Sequence, residues 1–211
     1  MMEYTCKRCN QTLQAYALNT RYIVCKSCHK INERNPSNEV YIDFANPMPD
    51  DLSLLQIGTE LNHEKKKYAA IGRYRHHLKN SYLNHWVFLN GETDELHIFE
   101  QLGNFVLAKK SETKLNSQQL NNLRSGAKII LNTITEPLYI ESVDKNCMTH
   151  FLGEIEELNL SSSNFYSINM SNNFGDAAIV FIYNDKNHQI FTGKYGSFKD
   201  FQFSKTNLIT I

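Results

Sequence analysis

The sequence predicts a mainly β protein: an N-terminal four-cysteine zinc ribbon followed by an antiparallel β-rich domain, a barrel or a sandwich, with one short helix. Two Cys-x-x-Cys pairs near the start predict the ribbon. Short runs of β-branched and aromatic residues, separated by turn residues, predict consecutive antiparallel strands. Strand and helix patterns do not alternate, which argues against a parallel sheet. We place the ribbon at residues 1–31, a proline-containing linker at 32–53 and the β-rich domain at 54–211.

Composition sets the class of molecule. A chain of 211 residues has room for one ordinary domain and a small module. Hydrophobic residues make up 41% of it, which is enough for a packed core and excludes a disordered chain. The 22 basic and 22 acidic side chains cancel, so no global field favours nucleic acid or an anionic membrane. No apolar run is long enough for a membrane-spanning helix and no secretory signal is evident, so we expect a cytoplasmic protein.

The ribbon prediction rests on four cysteines. Cys6 and Cys9 form one pair, Cys25 and Cys28 form the other, and fifteen residues separate the pairs. This spacing is typical of a tetrahedral zinc site with four thiolate ligands. A thioredoxin-type redox motif would occur once and within a βαβ unit, so we favour one structural zinc ion per chain. Four thiolates leave no open coordination position for catalysis, and His29 is an alternative ligand that the site does not need.

The linker holds three of the four prolines and is rich in Asn and Asp. Within it, Val40–Phe44 is apolar enough to form a short strand, so part of the linker is expected to pack on a domain.

The β-rich domain begins with four predicted strands at meander spacing. Asn90-Gly91 and the segment around Gly103 are the predicted turns between them. A helix is expected at 117–124, capped by Ser117 and ended by Gly126. Further strands follow it, and the last two are joined at 184–187. The predicted strands are 68–77, 83–89, 95–99, 105–109, 127–133, 137–143, 147–152, 177–183 and 188–193.

Candidate catalytic groups do not form a known motif. Cys147 lies in an apolar stretch and is interpreted as a small buried residue rather than a nucleophile. His150, three residues away, would point to the opposite face of a strand. The adjacent pair His76 and His77 is interpreted as a solvated strand edge rather than a second metal site.

A binding surface is predicted on the strands 68–77 and 83–89. Simple alternation places Tyr74 on one face of the first strand and Arg73 and Arg75 on the other. Trp86 and the tyrosines are either core residues or an aromatic surface with Arg73 and Arg75 at its rim. The candidate binding residues are Arg73, Tyr74, Arg75 and Trp86.

Several short motifs resemble the bacterial domain-of-unknown-function family 4178. They are Leu55–Thr59, Tyr68–Arg75, Trp86–Leu89 and Leu152-Gly153-Glu154, and Ile155 follows where the family usually has proline. The resemblance covers roughly residues 52–200 and the ribbon. It implies a β-rich domain that a zinc ribbon often precedes, no established activity, and a loose association with membrane stress and polyamines.

Three functions follow as hypotheses. The first is a non-enzymatic zinc-ribbon adaptor or accessory protein that binds a protein partner, with membrane stress as the context that the resemblance implies. The second is a nucleic-acid-binding protein that uses the ribbon and the basic stretch 65–79 with its interleaved tyrosines. The third is an enzyme whose site only the fold would assemble, for which a deep pocket lined by His, Glu and Cys147 would be the evidence. The sequence does not set the oligomeric state.

Overall fold

A computed structural model of the chain describes residues 2–34, 41–42, 48–49, 52–146, 148–156, 165–184 and 187–207. Cys147 and most of the predicted linker lie outside the described residues. The architecture is mainly β, with antiparallel sheets and one short α-helix, as the sequence predicts.

The ribbon consists of two small sheets with a cysteine pair beside each. β1 (Met2–Thr5) pairs with β2 (Thr12–Ala15). β3 (Tyr22–Val24) pairs with β4 (Ile31–Glu33), and β5 (Tyr41–Ile42) adds to β4. The strand predicted at Val40–Phe44 is thus described only at its centre.

The first half of the β-rich domain is an antiparallel meander in which each strand pairs with the next along the chain. Leu102 and Gly103 form a two-residue turn between β9 and β10, and both have positive φ angles (51° and 81°), as such a hairpin turn requires. The strands are β6 (Glu60–His63), β7 (Lys66–His77), β8 (Tyr82–Asn90), β9 (Asp94–Gln101) and β10 (Asn104–Ser111).

The second half begins with helix α1 (Ser117–Asn121), which is shorter than predicted. Asn116 caps it in place of Ser117, because the Asn116 side chain accepts the backbone N–H of Gln119 and the Gln119 side chain accepts that of Asn116. The following strands are β11 (Lys128–Ile129), β12 (Leu138–Asn146), β13 (Met148–Ile155), β14 (Phe165–Ser171), β15 (Asp176–Asn184), β16 (Asn187–Ser197) and, after a 3₁₀ turn, β17 (Gln202–Ser204).

The two halves form one closed sheet. Its strand order runs β12-β14-β15-β16-β10-β9-β8-β7-β13. β12 and β13 are almost continuous in sequence, so the chain from 138 to 155 pairs with β14 at one end of this run and with β7 at the other. β13 then pairs with β3, so the sheet continues into the ribbon. A ribbon separated from the domain by a linker would not share a sheet in this way.

Among the described residues, the three largest apolar cores lie on the two faces of the sheet. A central core packs the inner face of the first half against that of the second, with Phe99 and Val106 facing Phe181 and Phe191. An outer core behind the first half contains Trp86 and Phe88 and is covered by the C-terminal phenylalanines. A second outer core lies behind β14 to β16 and is covered by α1 and β11.

Candidate functional site

The two cysteine pairs are presented by the same backbone turn. The N–H of Asn10 donates to the carbonyl of Cys6 at 2.9 Å, and the N–H of His29 donates to that of Cys25 at 2.9 Å. Asn10 and His29 have φ angles of 59° and 58°, in the left-handed region. Each turn therefore places both of its thiols on one side.

The four thiols meet in one cluster. All four Sγ atoms lie within 4.8 Å of one another. The Sγ atoms of Cys6 and Cys28 are 3.6 Å apart, as are those of Cys9 and Cys25. These are far longer than a disulfide bond of about 2.0 Å and close to the separation of about 3.8 Å expected around a tetrahedral zinc ion. The predicted ligand set is thus assembled as a possible metal site, and the group contains cysteines alone.

Asn32 joins the two turns behind this cluster. Its side-chain amide donates toward Cys6 Sγ at 3.6 Å and to the carbonyl of Lys30 at 3.1 Å. Its carbonyl oxygen accepts the N–H of Lys7 at 3.1 Å. The sequence does not indicate this role of Asn32, because a lone asparagine after the second pair carries no spacing signal.

The thiol pKa values indicate that the four cysteines would need a cation to be ionised at the same time. Burial raises the pKa of Cys25, and it raises that of Cys28 to about 12. At Cys6 burial also raises the pKa, but hydrogen bonds from the backbone N–H groups of Cys9 and Arg8 and from the side chains of Cys28 and Asn32 together outweigh it and lower the pKa to about 6. Four clustered thiols therefore do not ionise together by themselves. A soft divalent cation would stabilise the four negative thiolates together, so the donor set fits such an ion.

Glu154 fastens the ribbon to the β-rich domain. Its buried carboxylate accepts the backbone N–H of Tyr16 at 2.9 and 3.0 Å, that of Ala17 at 3.1 Å, and the hydroxyl of Thr20 at 2.5 Å. Gly153 precedes it with a φ of +74°. A Cβ at Gly153 would lie 2.1 Å from a backbone oxygen of β7. At the Gly-Glu pair, β13 thus stops pairing with β7 and begins to pair with β3 of the ribbon.

The expectation that Arg73 and Arg75 rim an exposed surface is wrong. Arg73 is 4% exposed, Arg75 1% and Trp86 0%. The guanidinium of Arg73 lies 4.5 Å from the centre of the Trp86 ring. Both arginines donate to the side-chain oxygen of Asn84, and Glu100 accepts from Trp86 at 3.0 Å. Burial, opposed by Glu100, lowers the pKa of Arg73 to about 10. These residues form a buried polar network.

The physical reason is a β-bulge in β7. Ala70 pairs with Phe88 and Gly72 with the next residue, Val87, so Ile71 is an extra residue in β7. The bulge reverses the faces beyond it, so that Arg73 shares the outer face with Trp86 and simple alternation along the whole strand fails. Along β8 simple alternation holds, because Trp86 and Phe88 share the outer face.

Tyr74 lies on the inner face instead, with the buried histidines. Its ring stacks on that of His85, with centroids 5.1 Å apart. His85 Nε2 and His97 Nδ1 are hydrogen-bonded at 2.9 Å. His76, predicted at a solvated edge, is 4% exposed and its Nδ1 lies 3.0 Å from the hydroxyl of Thr149. That prediction is wrong because closure of the sheet covers the inner face.

These histidines line a cavity of about 40 Å³, which we call the histidine cavity. Residues 17, 19 and 20 of the ribbon line it from the other side. Burial is the main cause that lowers the pKa of His76 and of His97 to about 3, and it also lowers the pKa of His85 well below its ordinary value. All three imidazoles are therefore neutral at physiological pH. No sequence motif joins them, because three different strands supply them.

A larger groove of about 860 Å³ lies between ribbon and domain, and we call it the ribbon groove. β2 and β3 form one wall, and β7 with the segment around Gly58 forms the other. Glu60, in its lining, pairs with Lys67 at 2.8 Å and with Lys205 at 2.7 Å.

The basic stretch 65–79 is divided between surface and interior. Lys66 pairs with Asp94 at 2.7 Å and Lys67 with Glu60 at 2.8 Å. The two arginines of the stretch point into the buried network. The stretch therefore does not present its charges on one continuous face.

The chain matches no protein-family model, no curated protein and no solved structure. The resemblance to family 4178 stays a prediction. Within the described part of the chain, no helix has the length and apolar character needed to cross a membrane.

Proposed function

We propose that the protein is a non-catalytic binding module in which one structural Zn²⁺ holds the ribbon together and Glu154 fastens the ribbon to the β-rich domain. Cys6, Cys9, Cys25 and Cys28 would be its ligands. We further propose that the ribbon groove receives an extended segment of a protein partner. The observation that carries this proposal is that the groove has one wall from the ribbon and one from the domain.

Zinc is favoured by the donor chemistry. Four thiolates from two Cys-x-x-Cys turns suit a tetrahedral d¹⁰ ion and leave it no open position. The ion would be structural, since it replaces an apolar core that about thirty residues cannot build. Reduced cysteines at this site suit a reducing compartment such as the cytoplasm.

The shape of the ribbon groove favours an extended peptide. Among the described strands, β2 pairs with β1 alone, so its other edge keeps backbone donors and acceptors for a further strand. Thr12, Leu13 and Gln14 of β2 line the groove. Strand addition at such an edge is a common mode of peptide recognition, and neighbouring side-chain pockets supply specificity.

The carboxylates that line the groove are held in structural contacts, which favours binding over catalysis. Glu60 is paired with two lysines, whose hydrogen bonds lower its pKa to about 2. Glu154 is occupied by three donors of the ribbon. Neither side chain is placed to exchange a proton with a substrate.

Site-specific photo-crosslinking tests the proposal. A photoreactive residue at Gln14 in the groove is compared in native cells with one at Lys199, an exposed position on the 3₁₀ turn. We expect one partner to crosslink at Gln14 through a defined segment. A synthetic peptide of that segment should bind the purified zinc-loaded protein, and Thr12→Trp should weaken it about tenfold or more.

Lys199→Trp is the matched control and should leave peptide binding unchanged. Crosslinking of the same proteins at both positions, or peptide binding that Thr12→Trp does not weaken, would contradict the groove assignment. Salt-dependent binding of short DNA or RNA, without peptide binding, would favour the nucleic-acid hypothesis instead.

A further inference from the structure

The histidine cavity is large enough for a ligand. Its volume of about 40 Å³ exceeds the roughly 10–15 Å³ that one water molecule needs. Rings form part of its wall, since Tyr74, His85 and Phe191 line it together with the other two histidines. It therefore has space for a few non-hydrogen atoms between aromatic walls.

His76 supplies a polar group without a protein partner. One ring nitrogen, Nδ1, is held by the hydroxyl of Thr149 on β13. The opposite nitrogen, Nε2, is buried and has no hydrogen-bond partner among the described residues. Burying a polar atom without a partner is unfavourable, so such atoms usually meet water or a ligand. The ring lines the cavity, and the cavity is the place where that partner fits.

The charges around the cavity favour an uncharged occupant. Its deep end contains three imidazoles that are neutral at physiological pH. Among the charged residues of its lining, Lys110 pairs with Glu156 at 3.3 Å, Glu154 is held by the ribbon, and Glu95 is hydrogen-bonded by the side chain of Asn19. A charged ligand would lose its hydration without meeting a free countercharge.

The ribbon covers the mouth. Ala17, Asn19 and Thr20 line the cavity, and the side chain of Asn19 hydrogen-bonds the carboxyl of Glu95 on β9. The carboxylate of Glu154 fixes the same loop through Ala17 and Thr20. Access to the cavity thus depends on the segment that the cysteine cluster supports.

We propose that the histidine cavity binds a small uncharged hydrogen-bonding molecule, of the size and chemistry of a simple amide, beneath ribbon residues 17–20. An amide offers both a donor and an acceptor, so it satisfies His76 Nε2 in either tautomer of the ring. Its planar shape suits a space between flat rings.

Histidine-selective ¹⁵N NMR of the zinc-loaded full chain tests this proposal, with acetamide as the probe and acetate as its charged counterpart. We expect acetamide to shift the ring nitrogens of His76 saturably, with a dissociation constant on the order of millimolar for so small a ligand. His76→Phe should weaken binding by about tenfold or more, as the loss of one hydrogen bond implies. His63→Gln, outside the cavity, should leave it unchanged.

Comparison of the two probes on the unaltered protein decides the case even if His76→Phe does not fold. Saturable binding of acetamide with acetate at least about tenfold weaker supports the proposal. If the ¹⁵N chemical shifts change linearly up to high acetamide concentration, with no saturation, the proposal is overturned and water is the occupant of the cavity. Equal binding of acetate would overturn the assignment to an uncharged ligand.

Discussion

Replacing Glu154 by glutamine should release the ribbon from the β-rich domain. The carboxylate accepts from Tyr16, Ala17 and Thr20 with its two oxygens, whereas glutamine keeps the shape but has one acceptor oxygen. All three donors reach the same oxygen, Oε2, so a glutamine oxygen at that place would keep them but would lose the charge and turn its NH₂ group toward the N–H of Tyr16. Hydrogen bonds to a charged group contribute about 1.5–3 kcal/mol each, whereas neutral ones contribute about 0.5–1.5 kcal/mol. We therefore expect Glu154→Gln to reduce the free energy of unfolding by about 2–4 kcal/mol.

Urea unfolding of the zinc-loaded protein measures the loss, and amide hydrogen exchange locates it. We expect faster exchange at the N–H groups of Tyr16 and Ala17, with little change in β15 and β16. Glu156→Gln is the matched control, because its ion pair with Lys110 is partly exposed and should contribute no more than about 1 kcal/mol. Equal stability of the Glu154 and Glu156 variants would refute the role of Glu154 in docking.

Two further predictions concern pH and backbone strain. His76 and His97 have folded pKa values of about 3 against an ordinary value of 6.5, so the unfolded chain binds protons first and stability falls as the pH drops below 6.5. Between pH 7 and pH 5, each of these two histidines should lower the free energy of unfolding, measured with urea, by roughly 2 kcal/mol. His76→Phe should therefore reduce the loss of stability at low pH, whereas His63→Gln should not, and the reverse result would contradict this reasoning. Gly153→Ala should destabilise by at least about 3 kcal/mol, because φ is +74° and the new Cβ would overlap a backbone oxygen. Gly126→Ala, at a φ of +82° in open space, should cost only about 1–2 kcal/mol, and equal losses in calorimetry would refute the overlap.

Cysteine spacing, alternating residues and turn residues predicted the parts of the fold that depend on neighbours in sequence. Two Cys-x-x-Cys pairs bring four thiols together because each pair needs only one tight turn. The meander from β7 to β10 follows from alternating residues and short turns such as that at Gly103.

Features that depend on distant pairing were not predictable in this way. The bulge at Ile71 changes the face of every later residue in β7 and places Arg73 beside Trp86 on the outer face, where both Arg73 and Arg75 are buried. Closure by β12 and β13 buries His76, which looks like an edge residue when its strand is considered alone. β14 was missed because its serines and asparagine interrupt the apolar pattern.

The contacts that fix the ribbon also lie far apart in sequence. Glu154 meets backbone groups more than 130 positions away, so no spacing pattern indicates it. Asn32 acts through its amide on both cysteine turns, a role that a single polar residue does not reveal.

Metal content, measured together with ribbon protection, tests the central claim most directly. Freshly purified, reduced protein should contain one zinc ion per chain by elemental analysis. Cys9→Ser should lose it and should speed amide exchange where β3 pairs with β13, while the central core strands stay protected. Reduced protein without bound metal, or a Cys9→Ser variant whose ribbon is as protected as the parent's, would contradict the account.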